Sequence, residues 1–297
     1  MKPMLLPREV PDLETLPYPL LISPKLDGFR CMITENGPMT RSLKPIPNVN
    51  IRAMLEKLPV GLDGELVAGW HPHAKDIFNK TTRLVRKIHG PAGTKDYSFW
   101  LFDTAALDRG FDARAYYVKR IVERLEIPNL FCVPQVLVHN PSEASLMEAK
   151  FIARGYEGGV LRTLDGIYLD KPGENRATHR ENIGWKLKQF VDGEALVLRV
   201  EPLMHNQNEA FLSEKGLQKR SKVAAGLKAS KTLMGSLYVR DLSTGVEFSI
   251  GSGFTEADRL RRDWKGKILV YKKFPHGEKE RPRHPIYKGI RDETDIL

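Results

Sequence analysis

The spacing of apolar positions changes character near residue 190. Before it, short apolar runs at Leu20–Ser23, Phe29–Thr34 and Leu62–Ala68 predict strands, and Asn36-Gly37 inside ITENGPMTRS predicts a tight hairpin turn. Asn50–Leu58 and His73–His89 read as helices, and the aromatic run YSFWLFDTAAL as a buried strand. Behind Asp112, a candidate N-cap, Val118, Ile121, Val122 and Leu125 recur at helical spacing. Phe131–Val138 reads as one strand. Ser142 is a candidate cap for a helix with Ala144, Met147 and Phe151 on one face, and Gly159–Thr163 and GWKLKQF are further strands. Beyond 190 the runs GEALVLRVEPL, GSLYVRDLS, GVEFSIGSG and KILVYKKF are short strands parted by Gly, Ser and Asp, with one helix near Thr255–Asp263. About five strands in roughly a hundred residues predict a small OB-fold β-barrel. The expectation is therefore α+β: antiparallel sheets with helices over residues 1–189, then an OB barrel over 190–297.

Charge adds a partner to this picture. The 297 residues carry 47 Lys and Arg against 37 Asp and Glu, a net of +10, shared equally by the two parts. A basic surface on both parts favours a polyanion such as nucleic acid. The two cysteines, Cys31 and Cys132, form no C-x-x-C, which excludes a zinc ribbon and makes a disulfide framework unexpected. The N-terminal MLLPREVPDLE is broken by prolines and acids, unlike a secretory signal, and no run approaches a membrane span. These features predict a chain with no membrane association, working in a reducing cytoplasm.

Leu-Asp-Gly occurs three times, at Leu26–Gly28, Leu62–Gly64 and Leu164–Gly166, and by itself signals only a turn. The surroundings differ. The first has Lys25 two residues before its aspartate and Arg30 two after its glycine. The second runs straight into Glu65, and the third follows EGGVLR. Lys25-Leu26-Asp27-Gly28-Phe29-Arg30, Thr40-Arg41-Ser42, Asp63-Gly64-Glu65, Phe99–Phe102-Asp103, Glu157-Gly158-Gly159-Val160 and Lys186-Leu187-Lys188 stand in this order along the chain. This set resembles the motifs of the covalent nucleotidyltransferases, most closely the small ATP-dependent DNA ligases of viral and bacteriophage type. HPIYKGIRDETDIL resembles the family's last motif with Arg291 as its arginine, although the lysine usual after Arg-x-Asp is missing.

The resemblance implies an ATP-grasp-like nucleotidyltransferase domain, an OB-fold DNA-binding domain and an enzyme that seals nicks in duplex DNA with ATP and Mg²⁺ (or Mn²⁺). It implies that Lys25 is adenylylated, with Asp27, Arg30 and Lys188 as its catalytic companions. Ser23, Pro24, Arg30, Arg41, Glu65, Phe102, Lys186, Lys188 and Arg291 are the implied nucleotide contacts, and Glu157 with Glu65 the implied metal carboxylates. A latch-like insertion is expected at about 204–232, where Lys215, Lys219, Arg220, Lys222, Lys228 and Lys231, with Arg41, are candidates for phosphate contact. A flexible basic loop is the expected form of that insertion, and a hinge is expected at Phe190–Gly193. The partner is then nicked duplex DNA, the chain a monomer, and the compartment a cytoplasm, the host's if the source is viral. The rivals are an RNA ligase, a GTP-dependent capping guanylyltransferase, and a non-catalytic OB protein that binds DNA. His71-Pro72-His73 reads as a surface loop rather than a metal pair.

Overall fold

The computed structural model describes residues 1–7, 11–74, 76–170, 181–188, 191–212, 218–221, 226–274 and 281–291; the side chains of Lys188 and Lys219 lie outside that description. The chain divides into two compact units, Met1–Lys188 and Gln189–Leu297.

The first unit contains β1 (Leu20–Pro24), β2 (Phe29–Thr34), β3 (Gly37–Thr40), α1 (Val49–Leu55), β4 (Leu62–Ala68), α2 (Ile77–Arg86), β5 (Tyr97–Thr104), α3 (Phe111–Leu125), β6 (Leu130–Cys132), β7 (Val136–Val138), α4 (Pro141–Ala153), β8 (Gly158–Thr163) and β9 (Gly184–Lys188). They form two sheets, ordered β7-β1-β8-β9 and β3-β2-β4-β5-β6, antiparallel except for β5 with β6. Alternation along β2, β4 and β5 buries Cys31, Leu62, Leu66, Phe99 and Leu101 in one core, which also takes Ile51 and Leu55 of α1, Val85 of α2 and Val118 of α3. The other sheet buries Leu20, Ile22, Leu161 and Trp185 against Ala144 and Phe151 of α4.

Several local expectations change. Phe131–Val138 is not one strand: β6 joins the five-stranded sheet and β7 the four-stranded sheet. Pro134 lies in the break between them and has no N–H to continue a ladder. Gly110, not Asp112, caps α3, and Asp112 instead accepts from the Ala113 N–H in the first turn. Asn140, not Ser142, caps α4, with Pro141 as the first helical residue. The helix expected over His73–His89 is shorter, because a turn in which the Ala74 N–H donates to the His71 carbonyl precedes it.

The second unit contains β10 (Val191–Asn206), β11 (Ala210–Leu212), β12 (Gln218–Arg220), β13 (Leu227–Asp241), β14 (Glu247–Ile250), α5 (Glu256–Leu260), β15 (Ile268–Phe274) and β16 (Arg283–Ile290). Five strands run β14-β13-β10-β15-β16, and the order and the inserted α5 are OB-like. Among the described residues the barrel is not closed by a ladder: its outer strands meet through Gly251-Ser252, where Ser252 and Ile286 form one isolated parallel bridge. Ala195, Val197, Leu237, Val239, Ile250, Trp264, Leu269 and Tyr271 fill the core. Thr255 and Asp258 form a capping box that starts α5.

The basic insertion also differs from a plain loop. β10 and β13 run on as a paired ribbon to Asn206↔Leu227, and β11 and β12 form a small hairpin at its tip. Arg220 lies on β12 and Lys228 and Lys231 on β13; Lys215 and Lys222 lie outside the described residues. Of the expected hinge, Phe190 also lies outside them, and Val191–Gly193 begin β10.

Candidate active site

The register of the four-stranded sheet brings the first motif beside two that are distant in sequence. β1 pairs with β8 so that Pro24 faces Gly159, and β8 pairs with β9 so that Gly158 faces Lys188 and Val160 faces Lys186. Lys25 leaves the end of β1 and Glu157 enters β8 at the same level, where the Lys25 N–H donates to the Gly158 carbonyl at 2.9 Å. Their side chains form a half-buried ion pair, Lys25 Nζ with Glu157 Oε2. Ser23 is buried in β1, and Asp27 is half-buried in the following turn.

The second sheet supplies the rest. β2 pairs with β4, placing Arg30 opposite Glu65, and β4 pairs with β5, placing Glu65 opposite Trp100. Phe102 lies two residues from Trp100 on the same face of β5, opposite the buried Phe99 and Leu101. The Arg30 guanidinium carbon lies 5.2 Å from the centre of the Phe102 ring. Arg30 also grips the buried Asp63 with a fork, Nε to Oδ1 at 3.0 Å and Nη2 to Oδ2 at 2.5 Å. Burial alone would lower the Arg30 pKa; Asp63, Tyr168 and Glu65 outweigh it and hold the group above its ordinary value.

Glu65 behaves differently. Burial raises its pKa from 4.5 to about 8, against the pull of Lys25 and Arg30. The folded chain therefore holds this proton more tightly than the unfolded chain does. The resulting stability is full below about pH 4.5 and is lost as pH rises towards about 8. The thermal midpoint of the ligand-free protein should accordingly fall between pH 5 and 8 by more in wild type than in Glu65→Gln. Parallel melting curves for the two proteins in this range would remove Glu65 as the source.

Gly28 makes the join between the sheets' strands possible. A Cβ there would stand 2.2 Å from the Leu66 carbonyl oxygen and 2.8 Å from Glu65 Cγ. The neighbour is backbone, so little can yield. Gly28→Ala is expected to destabilise the protein by about 1–3 kcal/mol, read as a lower denaturation midpoint.

The other expected residues sit as follows. Lys186 Nζ donates to the Leu6 carbonyl at 3.0 Å, and the Pro7 carbonyl lies at 3.5 Å. Arg41 is exposed just past β3. Arg291, in the second unit, pairs with Glu194. Lys188 has its place in β9, level with Gly158, and its side chain is outside the description. Tyr168 escaped the sequence reading, and Asp103 entered it only as part of a motif, without its partners. Tyr168 donates to Asp63 at 2.5 Å and receives the Met4 N–H at 3.1 Å. Asp103 is buried between Arg114 at 2.8 Å and Arg162 at 3.1 Å. Asp165-Gly166 precedes Tyr168, but no spacing rule points to its contact or to those of Asp103. Among the described residues no group of three or more His, Cys, Asp or Glu could enclose a metal. The carboxyl groups of Glu157 and Glu65 are still the hard oxygen type that suits Mg²⁺, which takes one or two carboxylates and fills its shell with water and phosphate.

Comparison with known proteins bears on this geometry. Residues 225–291 match the family described as DNA ligase OB-like domain. Two structures of Chlorella virus DNA ligase-adenylate are similar over nearly the whole of both chains. One has 26% identity, 98% of this chain and 99% of that one covered, and a TM-score of 0.55. The other has 29% identity, 99% coverage of both chains and a TM-score of 0.54. The fold is also shared with a Lig E DNA ligase, at 22% identity, 98% and 100% coverage and a TM-score of 0.71. No curated protein sequence matches the chain. Fold and comparisons define a class: a nucleotidyltransferase unit followed by an OB-like unit, the architecture of DNA ligases. Within that class the chain is similar to the small ATP-dependent DNA ligases.

Proposed function

We propose that the chain is an ATP-dependent DNA ligase that seals 3′-hydroxyl/5′-phosphate nicks in duplex DNA. The observation that carries this reading is the pairing of Lys25 with Glu157 at the joined ends of β1 and β8, beside Arg30, Glu65 and Phe102. Lys25 Nζ, once free of its extra proton, attacks the α-phosphorus of ATP. The bond to the pyrophosphate oxygen breaks, and a phosphoramidate to AMP forms on the lysine. The 5′-phosphate of the nick then attacks that phosphorus, breaking the P–N bond and returning the amine. The 3′-hydroxyl next attacks the activated 5′-phosphorus, gives up its proton and releases AMP.

Each residue takes its part from its place. Phe102 covers the adenine face, with Ser23 and Pro24 at its edge. Glu65 accepts from ribose hydroxyls. Asp63 aims Arg30, and Arg30, Lys186 and Lys188 counter the charge that grows on the phosphate oxygens. Asp27 completes the turn that presents Lys25. Arg41 meets the 5′-phosphate of the nick, and Arg291 the leaving pyrophosphate. Glu157 and Glu65 would hold Mg²⁺ or Mn²⁺, which supplies further charge neutralisation on the phosphates.

The first unit, 1–189, is then the adenylylation domain. The second, 190–297, is the DNA-binding domain, with Arg220, Lys228 and Lys231 of the ribbon, and Lys215, Lys219 and Lys222 of the same stretch of sequence, on phosphates. It works as a monomer in a cytoplasm. No helix of the described residues is long and apolar enough to cross a membrane.

Incubation with α-labelled ATP or GTP, then with a nicked duplex, tests the reading. Label from ATP and a joined strand are expected. Label from GTP alone would move the chain to RNA capping, and sealing of RNA only would make it an RNA ligase. A DNA-binding protein without chemistry would take no label. Nick affinity should also fall steeply between 50 and 200 mM salt, by roughly tenfold per two or three phosphate contacts. A flat titration would remove the phosphate contacts from the account.

A further inference from the structure

The basic insertion and a second cationic run, Arg259, Arg261 and Arg262, converge on one cavity of about 280 Å³. Its origin is a slip in the β10–β13 ladder. Pro202 faces Met234 and Met204 faces Ala229, so Leu203 alone stands opposite residues 230–233. The surplus residues bow out, and Ser230 Oγ holds the bow by accepting from the Leu233 N–H at 3.0 Å. Lys231 rides on this bow, and Arg259, Arg261 and Arg262 come to the same cavity from α5 and its end.

The four cations differ in their commitments. Arg259 donates to the Met234, Gly235 and Gly251 carbonyls at 2.9, 3.0 and 3.1 Å, and so ties the helix to the bow. Arg261 is forked on Asp263 at 2.6 and 2.9 Å. Arg262 and Lys231 are exposed, joined by a single bond of 3.3 Å from Arg262 to the Lys231 carbonyl. Val200 and Met234 give the cavity an apolar side, and no carboxylate is among its lining residues.

We infer that this cavity seats one phosphodiester of a nucleic-acid strand, with the phosphate on Arg262 and Lys231 and the adjoining sugar against Val200. Cations beside an apolar wall match one backbone unit: charge for the phosphate and an apolar surface for the sugar carbons. With Arg259 held by carbonyls and Arg261 by Asp263, the remaining cations meet the backbone, which carries no sequence information. The duplex as ligand rests on the proposed ligase reading.

The test is binding of a fluorescent nicked duplex to the full chain, by anisotropy over a salt series. Arg262→Glu is expected to weaken binding about tenfold or more at low salt, and to lower the slope of log affinity against log salt by about 1. Thr232→Trp, which fills the cavity without changing charge, should weaken binding severalfold. Arg240 lies outside the cavity, where it pairs with Glu247; Arg240→Glu carries the same charge change and should shift affinity by less than about twofold. Equal losses in Arg262→Glu and Arg240→Glu would show only a general field and overturn the seat. An unchanged slope in Arg262→Glu would overturn it too and hand the cavity to an acidic protein segment. Labelling of Lys25 is measured separately. Its absence in wild type with the binding pattern intact would sink the ligase reading and leave the seat standing.

Discussion

Lys25→Ala is expected to take no label from α-labelled ATP and to seal no nick from ATP, a loss of about a thousandfold or more in the first step. The argument is chemical. Attack on phosphorus needs a lone pair, and the Lys25 amine is paired with Glu157 and close enough to Glu65 to act on its charge, as Arg30 is. Lys25→Arg should fail as completely, since a guanidinium stays protonated throughout the working range. Two controls separate chemistry from folding. Lys25 is half-buried and bonded to one carboxylate, so Lys25→Arg should keep most of the thermal stability. The Lys25→Ala variant should also still seal a nick that has been adenylylated beforehand by synthesis, because the last step needs no lysine nucleophile. Label retained on the alanine variant would place the covalent bond elsewhere and end the proposal.

Which parts of this are legible in the sequence depends on how local their causes are. Phe29–Thr34 is legible to the residue, because its ends are fixed by the Asp-Gly turn before it and the Asn-Gly turn after it. The alternation of Trp100 and Phe102 against Phe99 and Leu101 likewise follows from the pleat alone. The split of Phe131–Val138 is less legible: its cause is Pro134, but which sheet each half joins is decided by partners far along the chain. The ribbon was hidden for another reason. None of residues 201–206 or 227–233 is buried, so pairing, not burial, makes it a strand. Tyr168 reaches Asp63 across 105 positions and Asp103 reaches Arg162 across 59, and contacts of that kind leave no periodic trace.

Asp103→Leu is expected to be the most destabilising substitution in the first unit, by about 3–5 kcal/mol. Asp103 sits in β5 of one sheet, Arg162 in β8 of the other, and Arg114 on α3. Its carboxylate accepts from Arg114 at 2.8 and 3.2 Å and from Arg162 at 3.1 Å, all buried. Burial lowers the Arg162 pKa, with Asp103 opposing that fall, and one terminal nitrogen of Arg162 has no hydrogen-bond partner. The pair of guanidiniums is thus already only just compensated; Arg162 leans on the Phe111 ring at 4.2 Å. Removing the carboxylate leaves two buried cations facing each other. Asp103→Asn should fall between wild type and leucine, since it keeps an acceptor and loses the charge. The triple replacement of Asp103, Arg114 and Arg162 by apolar residues of similar volume should recover part of the loss, because the cost lies in uncompensated charge rather than in missing bonds. The measurement is the urea midpoint followed by tryptophan fluorescence, with Trp185 reporting from the same unit. A midpoint unchanged in Asp103→Leu would mean that water reaches the two arginines, and that the sheets are held together by apolar contact alone.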